Sequence, residues 1–156
     1  MAVVIVTGTP GTGKTSLAKA LAKKLHATYV DVNALIKDNR LAESYDAKRK
    51  TVVVDERKVV KALLAMIKKN KSLVIDSHFA HELPKKYVDL CIVTKCNISE
   101  LKKRLEKRGY HAEKIQENID AELFDICCNE AYEKRHNLLI VDTTKKKPSQ
   151  LLASLF

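Results

Sequence analysis

The chain carries TGTPGTGKT at residues 7–15, a match to the phosphate-binding loop pattern Gly-x4-Gly-Lys-Ser/Thr. In such a loop, glycines let backbone N–H groups turn toward phosphate oxygens, a lysine ammonium reaches the β and γ phosphates, and a threonine hydroxyl holds magnesium. Three of the four glycines in the chain, Gly8, Gly11 and Gly13, lie in this stretch. The backbone freedom that glycine provides is therefore concentrated here, although an ordinary glycine turn is the competing interpretation.

The residues on either side of the loop favour the phosphate-binding interpretation. Residues 3–6, VVIV, predict a buried strand, and a helix is predicted from about Lys14 because apolar residues recur at helical spacing after it. The N-terminus of that helix would add the positive end of its dipole to the loop. A strand, a glycine-rich loop and a helix in this order predict a binding site for a nucleoside triphosphate.

Strands and helices alternate along the remaining chain. Further strands are predicted at 28–31, 73–76, 88–94 and 138–141, and helices at 33–39, 55–70, 97–109, 112–135 and 148–156. Asp55 and Asn97 are predicted to cap the starts of two of these helices. Residues 40–50 are polar and weakly patterned, and 51–54 form a short β-branched run. This order predicts an α/β fold of the P-loop NTPase class, with a mainly parallel five-stranded sheet and helices on both faces.

Length and composition narrow the class of protein. A chain of 156 residues fits a single domain, 1–156, and 46% hydrophobic residues argue against disorder. The net charge of +10 suits anionic partners, but a solvated lysine-rich surface explains it equally well. The four cysteines show no metal-ligand spacing, so we expect free thiols in a reducing compartment. Without a signal sequence or a long apolar run, the protein is expected to be soluble and cytoplasmic.

Two residues at the end of the 73–76 strand are candidates for the chemistry. Asp76 has the position of a Walker B carboxylate that holds magnesium, although a strand-end aspartate can also serve as a turn or capping residue. His78 could orient or deprotonate a water molecule, or it could be an ordinary loop histidine. The chain contains neither the Asp-x-x-Gly nor the Asn-Lys-x-Asp element of a GTPase. A small kinase or an ATPase remains.

These motifs together resemble the adenylate kinase isoenzyme 6 family. The resemblance rests on the loop at 7–15, on Asp76-Ser77-His78 and on Arg108-Gly109-Tyr110. It also includes the short segments Tyr45-Asp46 and Val54-Asp55-Glu56. It implies a Mg²⁺-dependent enzyme that transfers phosphate from ATP to AMP and also hydrolyses ATP. It further implies a role in maturation of the small ribosomal subunit, with a small-subunit ribosomal protein or pre-ribosomal RNA as partner, and a monomeric state.

The resemblance also implies roles for individual residues. Asp76, with Thr15, would serve magnesium, and His78 would serve the attacking water. Arg108, at the start of a lid at about 107–117, and Arg104, one helical turn earlier, would neutralise charge on the transferring phosphoryl group. In a monophosphate-binding segment at about 32–54, Lys37 stands where adenylate kinases place an arginine, and Arg40 follows one turn later. The triphosphate itself would be held by Gly11, Gly13, Lys14, Thr15 and Ser16.

Two other functions stay open from the sequence. One is a nucleoside monophosphate kinase that prefers an acceptor other than AMP. The second is an ATP-switched assembly factor whose kinase activity is incidental. The chain has Ala47-Lys48-Arg49-Lys50 where members of the resembled family carry acidic residues, so the charge presented to a partner differs here.

Overall fold

A parallel five-stranded sheet forms the centre of the structure, a computed structural model that describes residues 2–48 and 51–155. Its strands are β1 (Ala2–Thr7), β2 (Thr28–Asp31), β5 (Ser72–Asp76), β6 (Leu90–Lys95) and β7 (Leu138–Asp142), in the order β2-β5-β1-β6-β7. The remaining two strands, β3 (Ala42–Asp46) and β4 (Thr51–Val54), form a separate antiparallel hairpin. The predicted fold class is confirmed.

Seven helices connect the strands in the described part of the chain. They are α1 (Lys14–Leu25), α2 (Val32–Asp38), α3 (Glu56–Lys69), α4 (Ile98–Lys107), α5 (Ala112–Leu123), α6 (Ile126–Glu133) and α7 (Pro148–Leu155), with 3₁₀ turns at Ala80–Glu82 and Lys85–Tyr87. The predicted N-caps are present at two helix starts. The Asp55 carboxylate accepts a hydrogen bond from the Arg57 backbone N–H, and the Asn97 side chain accepts one from the Glu100 backbone N–H. None of the helices described is long and apolar enough to cross a membrane.

Alternate residues of the central strand bury into two different cores. Val3 and Ile5 pack on one face with residues of α2 and α3, whereas Val4 and Val6 pack on the other face with α1 and α7. Successive side chains of a strand point to opposite faces, so a strand covered on both sides is apolar throughout. The run VVIV therefore specifies the central position of β1.

The β3–β4 hairpin occupies the segment that the sequence describes only as polar and weakly patterned. The β-branched run at 51–54 forms β4, and its partner β3 has no counterpart in the sequence prediction. Four of the five β3 residues are exposed, so no alternation of apolar and polar residues marks the strand. Arg49 and Lys50, which belong to the basic run discussed above, lie outside the described residues.

The prediction of one long helix over 112–135 is wrong. The structure has α5 and α6, separated at Phe124 and Asp125, and Asp125 has left-handed backbone geometry with φ of 52°. The apolar rhythm continues through the break, yet Leu123 and Ile126 are exposed. Asp125 forms an ion pair with Lys95 at the end of β6, so a contact between distant residues accompanies the break in the helix.

Candidate active site

The phosphate loop joins the central strand to α1 and has Asp76 beside it. Strands β1 and β5 are neighbours, and Val6 pairs with Asp76 in their register. Parallel strands end at the same edge of a sheet, which is where ligands of open α/β proteins bind. Inside the loop, the Thr12 hydroxyl lies 2.6 Å from the Thr9 carbonyl oxygen and 2.7 Å from Thr94 Oγ1. These contacts fix the loop between the ends of β1 and β6.

Lys14 folds back over its own loop. Its Nζ donates hydrogen bonds to the carbonyl oxygens of Gly8, at 2.9 Å, and Thr9, at 3.2 Å. Burial lowers the pKa of Lys14 to about 8, and the nearby Asp76 carboxylate opposes that shift. The ammonium is thus held at the loop in a partly desolvated place, where its charge acts strongly on an anion.

Asp76 accepts two hydrogen bonds on one carboxylate oxygen. Thr15 Oγ1 lies 2.7 Å from Asp76 Oδ2, and Tyr29 Oη lies 2.8 Å from the same atom. Burial, together with the bond to Asp76, raises the pKa of Tyr29, so this phenol remains a donor. The sequence prediction brought Thr15 and Asp76 together, but it missed Tyr29, whose position in β2 carries no motif.

His78 lies past the end of β5, on the surface of the site. Its carbonyl oxygen accepts a weak hydrogen bond from Cys127 Sγ at 3.6 Å, and its ring meets Phe79 edge-on. The ring is exposed, but the surrounding protein still desolvates it in part, and the positive charge of Lys14 adds to that effect. Both lower the pKa of His78 to about 4. At neutral pH the imidazole is uncharged and can accept a proton or a hydrogen bond.

A second histidine, which the sequence analysis did not select, is buried behind the loop. His81 Nδ1 lies 2.9 Å from Thr7 Oγ1, and its Nε2 lies 2.6 Å from Glu130 Oε2. His136 Nε2 also donates to the His81 carbonyl oxygen at 2.7 Å. Since Thr7 immediately precedes Gly8, these bonds anchor the start of the phosphate loop to α6.

Next to the loop is a cleft of about 470 Å³ that contains several of the predicted nucleotide residues. Arg108, at the end of α4, is exposed there, whereas Arg104 is held by the protein: its guanidinium donates to Thr143 O at 2.7 Å and to Gly11 O at 3.4 Å. The charged and small residues of the lining are Gly11, Gly13, Ser16, Arg104, Lys107, Arg108 and Lys146.

Lys37 and Arg40 are the two residues predicted to bind the monophosphate. Both are exposed, Lys37 in the last turn of α2 and Arg40 two residues beyond it with φ of 52°. Other residues line the described cleft. The structure therefore brings together Lys14, Thr15 and Asp76, with Arg108 at the cleft, whereas Lys37 and Arg40 do not line that cleft.

Comparisons with known proteins agree with this arrangement. A sequence profile for the family described as AAA domain matches residues 4–125. Adenylate kinase isoenzyme 6 homolog FAP7 of Saccharomyces cerevisiae is 35% identical over 153 residues, which cover 97% of this chain and 77% of that protein. The adenylate kinase isoenzyme 6 homolog of Schizosaccharomyces pombe is 36% identical over 152 residues, covering 97% and 86%. The chain belongs to the adenylate kinase isoenzyme 6 family.

The fold of this adenylate kinase isoenzyme 6 family member also resembles that of other kinases. Shikimate kinase from Acinetobacter baumannii, in complex with shikimate, superposes with a TM-score of 0.70 at 13% identity, over 99% of this chain and 90% of that one. At such low identity the similarity concerns the fold alone. Taken with its relatives, the family member is an adenylate kinase-like P-loop kinase.

Proposed function

We propose that this protein transfers the γ-phosphoryl group of ATP to AMP and forms two molecules of ADP. The observation that carries the proposal is the meeting of Lys14, Thr15 and Asp76 at the ends of neighbouring strands. An ammonium, a hydroxyl and a carboxylate in one site are the groups that a magnesium-bound triphosphate requires. The name adenylate kinase, which both yeast relatives carry, supports AMP as the acceptor.

In the proposed reaction, an oxygen of the AMP phosphate forms a bond to the γ-phosphorus of ATP. The bond between that phosphorus and the β–γ bridging oxygen breaks, and its electron pair stays on the new ADP. Lys14 and Arg108 are the cations that would bind the phosphate oxygens and stabilise this charge. Gly11, Gly13 and Ser16 would bind the triphosphate from the loop, and Arg104 would hold Gly11 in place.

Thr15 and Asp76 are the residues that would hold Mg²⁺. Their side-chain oxygens lie 2.7 Å apart, and a hydroxyl with a carboxylate is the all-oxygen donor set that Mg²⁺ prefers. The donor set therefore fits this ion. When bound, Mg²⁺ would neutralise charge on the phosphates.

Two segments outside the central sheet would bind AMP and form the lid. We assign residues 32–54 to AMP binding, with Lys37 and Arg40 as cations for its phosphate, and residues 107–117 to a lid that carries Arg108. Lysine is a point charge and lacks the bidentate fork of arginine. AMP is therefore expected to bind more weakly than to a kinase with an arginine at this position.

The products formed from ATP test this function directly. Purified protein with Mg²⁺ and ATP should form ADP rapidly when AMP is present and slowly when it is absent, as measured by chromatographic separation of the nucleotides. A panel of CMP, UMP, GMP and shikimate serves as the comparison. Faster transfer to any of these acceptors than to AMP would overturn AMP as the substrate.

Replacing the strand-end carboxylate should change the magnesium requirement. Asp76→Asn should raise the Mg²⁺ concentration needed for half-maximal rate by roughly ten- to hundredfold, the range for losing a group that supports a bound metal. Nucleotide binding in EDTA should be retained. Tyr29→Phe removes the phenol that donates to the same carboxylate, and it should change the Mg²⁺ requirement much less. An unchanged magnesium dependence in Asp76→Asn would leave Asp76 a structural residue.

We further propose that the protein hydrolyses ATP slowly and that His78 positions the attacking water. Hydrolysis needs an oriented water, whereas the AMP phosphate is already ionised and needs little help from a base. His78→Ala should therefore lower hydrolysis by roughly a hundredfold, the lower end for loss of a positioned base, and affect transfer to AMP much less. Phosphate release and ADP formation are measured separately. His26→Asn, on an exposed histidine, is the control, and equal loss of both activities would contradict the role.

We also propose that the protein acts in small ribosomal subunit biogenesis and that its partner is a small-subunit ribosomal protein or pre-ribosomal RNA. The net charge of +10 and the exposed run Lys145–Lys147 support an anionic partner. Binding to a small-subunit RNA fragment should weaken steeply as salt is raised, because lysines release counterions from phosphates. Stimulation of ATP hydrolysis by the partner would favour an ATP-switched assembly factor. Salt-insensitive binding would argue against an electrostatic RNA contact.

A further inference from the structure

Glu122 is a buried carboxylate that contacts Thr9 of the phosphate loop. Its side chain is 6% exposed, near the end of α5. Oε1 accepts a hydrogen bond from Thr9 Oγ1 at 3.2 Å, and Oε2 accepts one from the backbone N–H of Cys96 at 2.9 Å. A buried carboxylate is costly unless it is paired, so this one has to be supported by its surroundings.

The support comes from Lys95. Its Nζ lies 3.8 Å from Glu122 Oε1 and also pairs with Asp125. Lys95 and Cys96 follow the buried part of β6, while Glu122 lies near the end of α5 and Asp125 lies in the break between α5 and α6. The carboxylate therefore connects three separate parts of the chain: the loop, the end of β6, and α5, whose first residues belong to the proposed lid.

Thr9 also contacts Lys14, so it connects Glu122 with the lysine of the phosphate loop. The Thr9 carbonyl oxygen accepts from the Thr12 backbone N–H at 3.2 Å, from the Thr12 hydroxyl at 2.6 Å, and from Lys14 Nζ at 3.2 Å. A side chain that fixes Thr9 thus fixes the acceptor on which the Lys14 ammonium rests. The described contacts form a continuous chain from Glu122 through Thr9 to Lys14.

We infer that Glu122 is a positioning residue: it holds Thr9, and through Thr9 it sets the place of Lys14 for the triphosphate. The inference rests on the proposed function only in taking ATP as the ligand. A carboxylate that merely satisfies the Cys96 N–H would stabilise the fold equally well and would have no effect on nucleotide binding in the folded protein.

Two near-isosteric variants separate these alternatives. Thr9→Val removes the hydroxyl and keeps the volume of the side chain. Glu122→Gln keeps the shape and can still accept from Cys96 N–H with its carbonyl oxygen, while its amide can only donate to Thr9 Oγ1 where the carboxylate accepted, and the charge next to Lys95 is lost. Asp120→Asn, on an exposed carboxylate of the same helix, is the matched control.

The experiment measures binding of the non-hydrolysable analogue AMP-PNP with Mg²⁺ by calorimetry, kcat and KM for ATP, and the thermal midpoint. Thr9→Val should weaken AMP-PNP binding and lower kcat/KM by roughly ten- to hundredfold, the cost of misplacing a reacting group by about an ångström. Glu122→Gln should change both in the same direction but less, because its amide can still donate to Thr9 Oγ1. The double variant should lose no more than the worse single variant, because both break one chain of contacts. Asp120→Asn should behave as wild type.

Three results would overturn the inference. Unchanged AMP-PNP binding and kcat/KM with only a lower thermal midpoint would leave Glu122 a purely structural residue. Additive losses in the double variant would mean that it does not act through Thr9. If Glu122→Gln does not fold, the test depends on Thr9→Val. A folded Thr9→Val protein that binds AMP-PNP as tightly as the wild type would also overturn the inference. A wild-type protein that binds AMP-PNP but phosphorylates no monophosphate would overturn the proposed reaction and leave the Glu122 comparison valid.

Discussion

Lys14→Ala should lower turnover by on the order of a hundredfold or more, because the triphosphate loses a preorganised cation beside its β and γ oxygens. The fold should survive, since among the described residues the ammonium donates to two loop carbonyls alone, and burial already disfavours its charge. ADP formation from ATP and AMP measures the loss, and circular dichroism checks the fold. Lys23→Ala, on an exposed lysine of α1, is the control.

The same substitution should also remove a pH dependence of stability. The pKa of Lys14 is lowered from 10.5 to about 8 in the folded protein, so between these values the unfolded chain binds a proton that the folded protein does not. The free energy of unfolding should therefore rise with pH across this window, and less so in Lys14→Ala. An active Lys14→Ala enzyme, or one that is unfolded, would contradict the place of Lys14 in the site.

Gly8→Ala should be the most damaging single-methyl change in the loop. Gly8 has φ of 147°, and an added Cβ would lie 2.4 Å from Thr94 Oγ1 and 2.7 Å from the Thr94 carbonyl oxygen. Backbone strain and overpacking together should lower the free energy of unfolding by about 2–5 kcal/mol. Nucleotide binding should be lost with it, because the loop must move away from β6. Urea unfolding and AMP-PNP titration measure both effects.

Gly109→Ala is the matched control for this prediction. Gly109 also has positive φ, at 77°, but nothing lies within 4 Å of the position of an added Cβ. Only the backbone preference is lost there, a cost of about 1–2 kcal/mol. If the two variants lose equal stability, the close contact between Gly8 and Thr94 is not what constrains the loop.

The fold could be predicted where the pattern is local. The apolar run of β1, the glycine loop and the caps at Asp55 and Asn97 depend on neighbouring residues, and the structure places them as expected. The β3–β4 hairpin could not be predicted because its exposed strand carries no alternation. The break at Asp125 could not be predicted either, because its ion pair with Lys95 joins residues distant in the chain.

The candidate site divides in the same way. Lys14, Thr15 and Asp76 could be chosen from motifs, and the structure brings them together, while their roles stay predictions. Tyr29 and Glu122 could not be chosen, because Tyr29 meets Asp76 across 47 residues and Glu122 meets Thr9 across 113. In the sequence, Glu122 is one more acidic residue on a helix. Only the folded chain shows that it is buried against the loop.

The central place of β1 has a consequence for the order of folding. Ala2 pairs with Ser72 on one side, and Val4 pairs with Leu90 on the other. At synthesis rates of about 5–20 residues per second, β1 waits on the order of ten seconds for both of its neighbours to be translated. Long sequence separation also slows folding, because a large loop must close before the strands can pair. The phosphate loop, which directly follows β1, therefore reaches its final shape only after both neighbouring strands have been made.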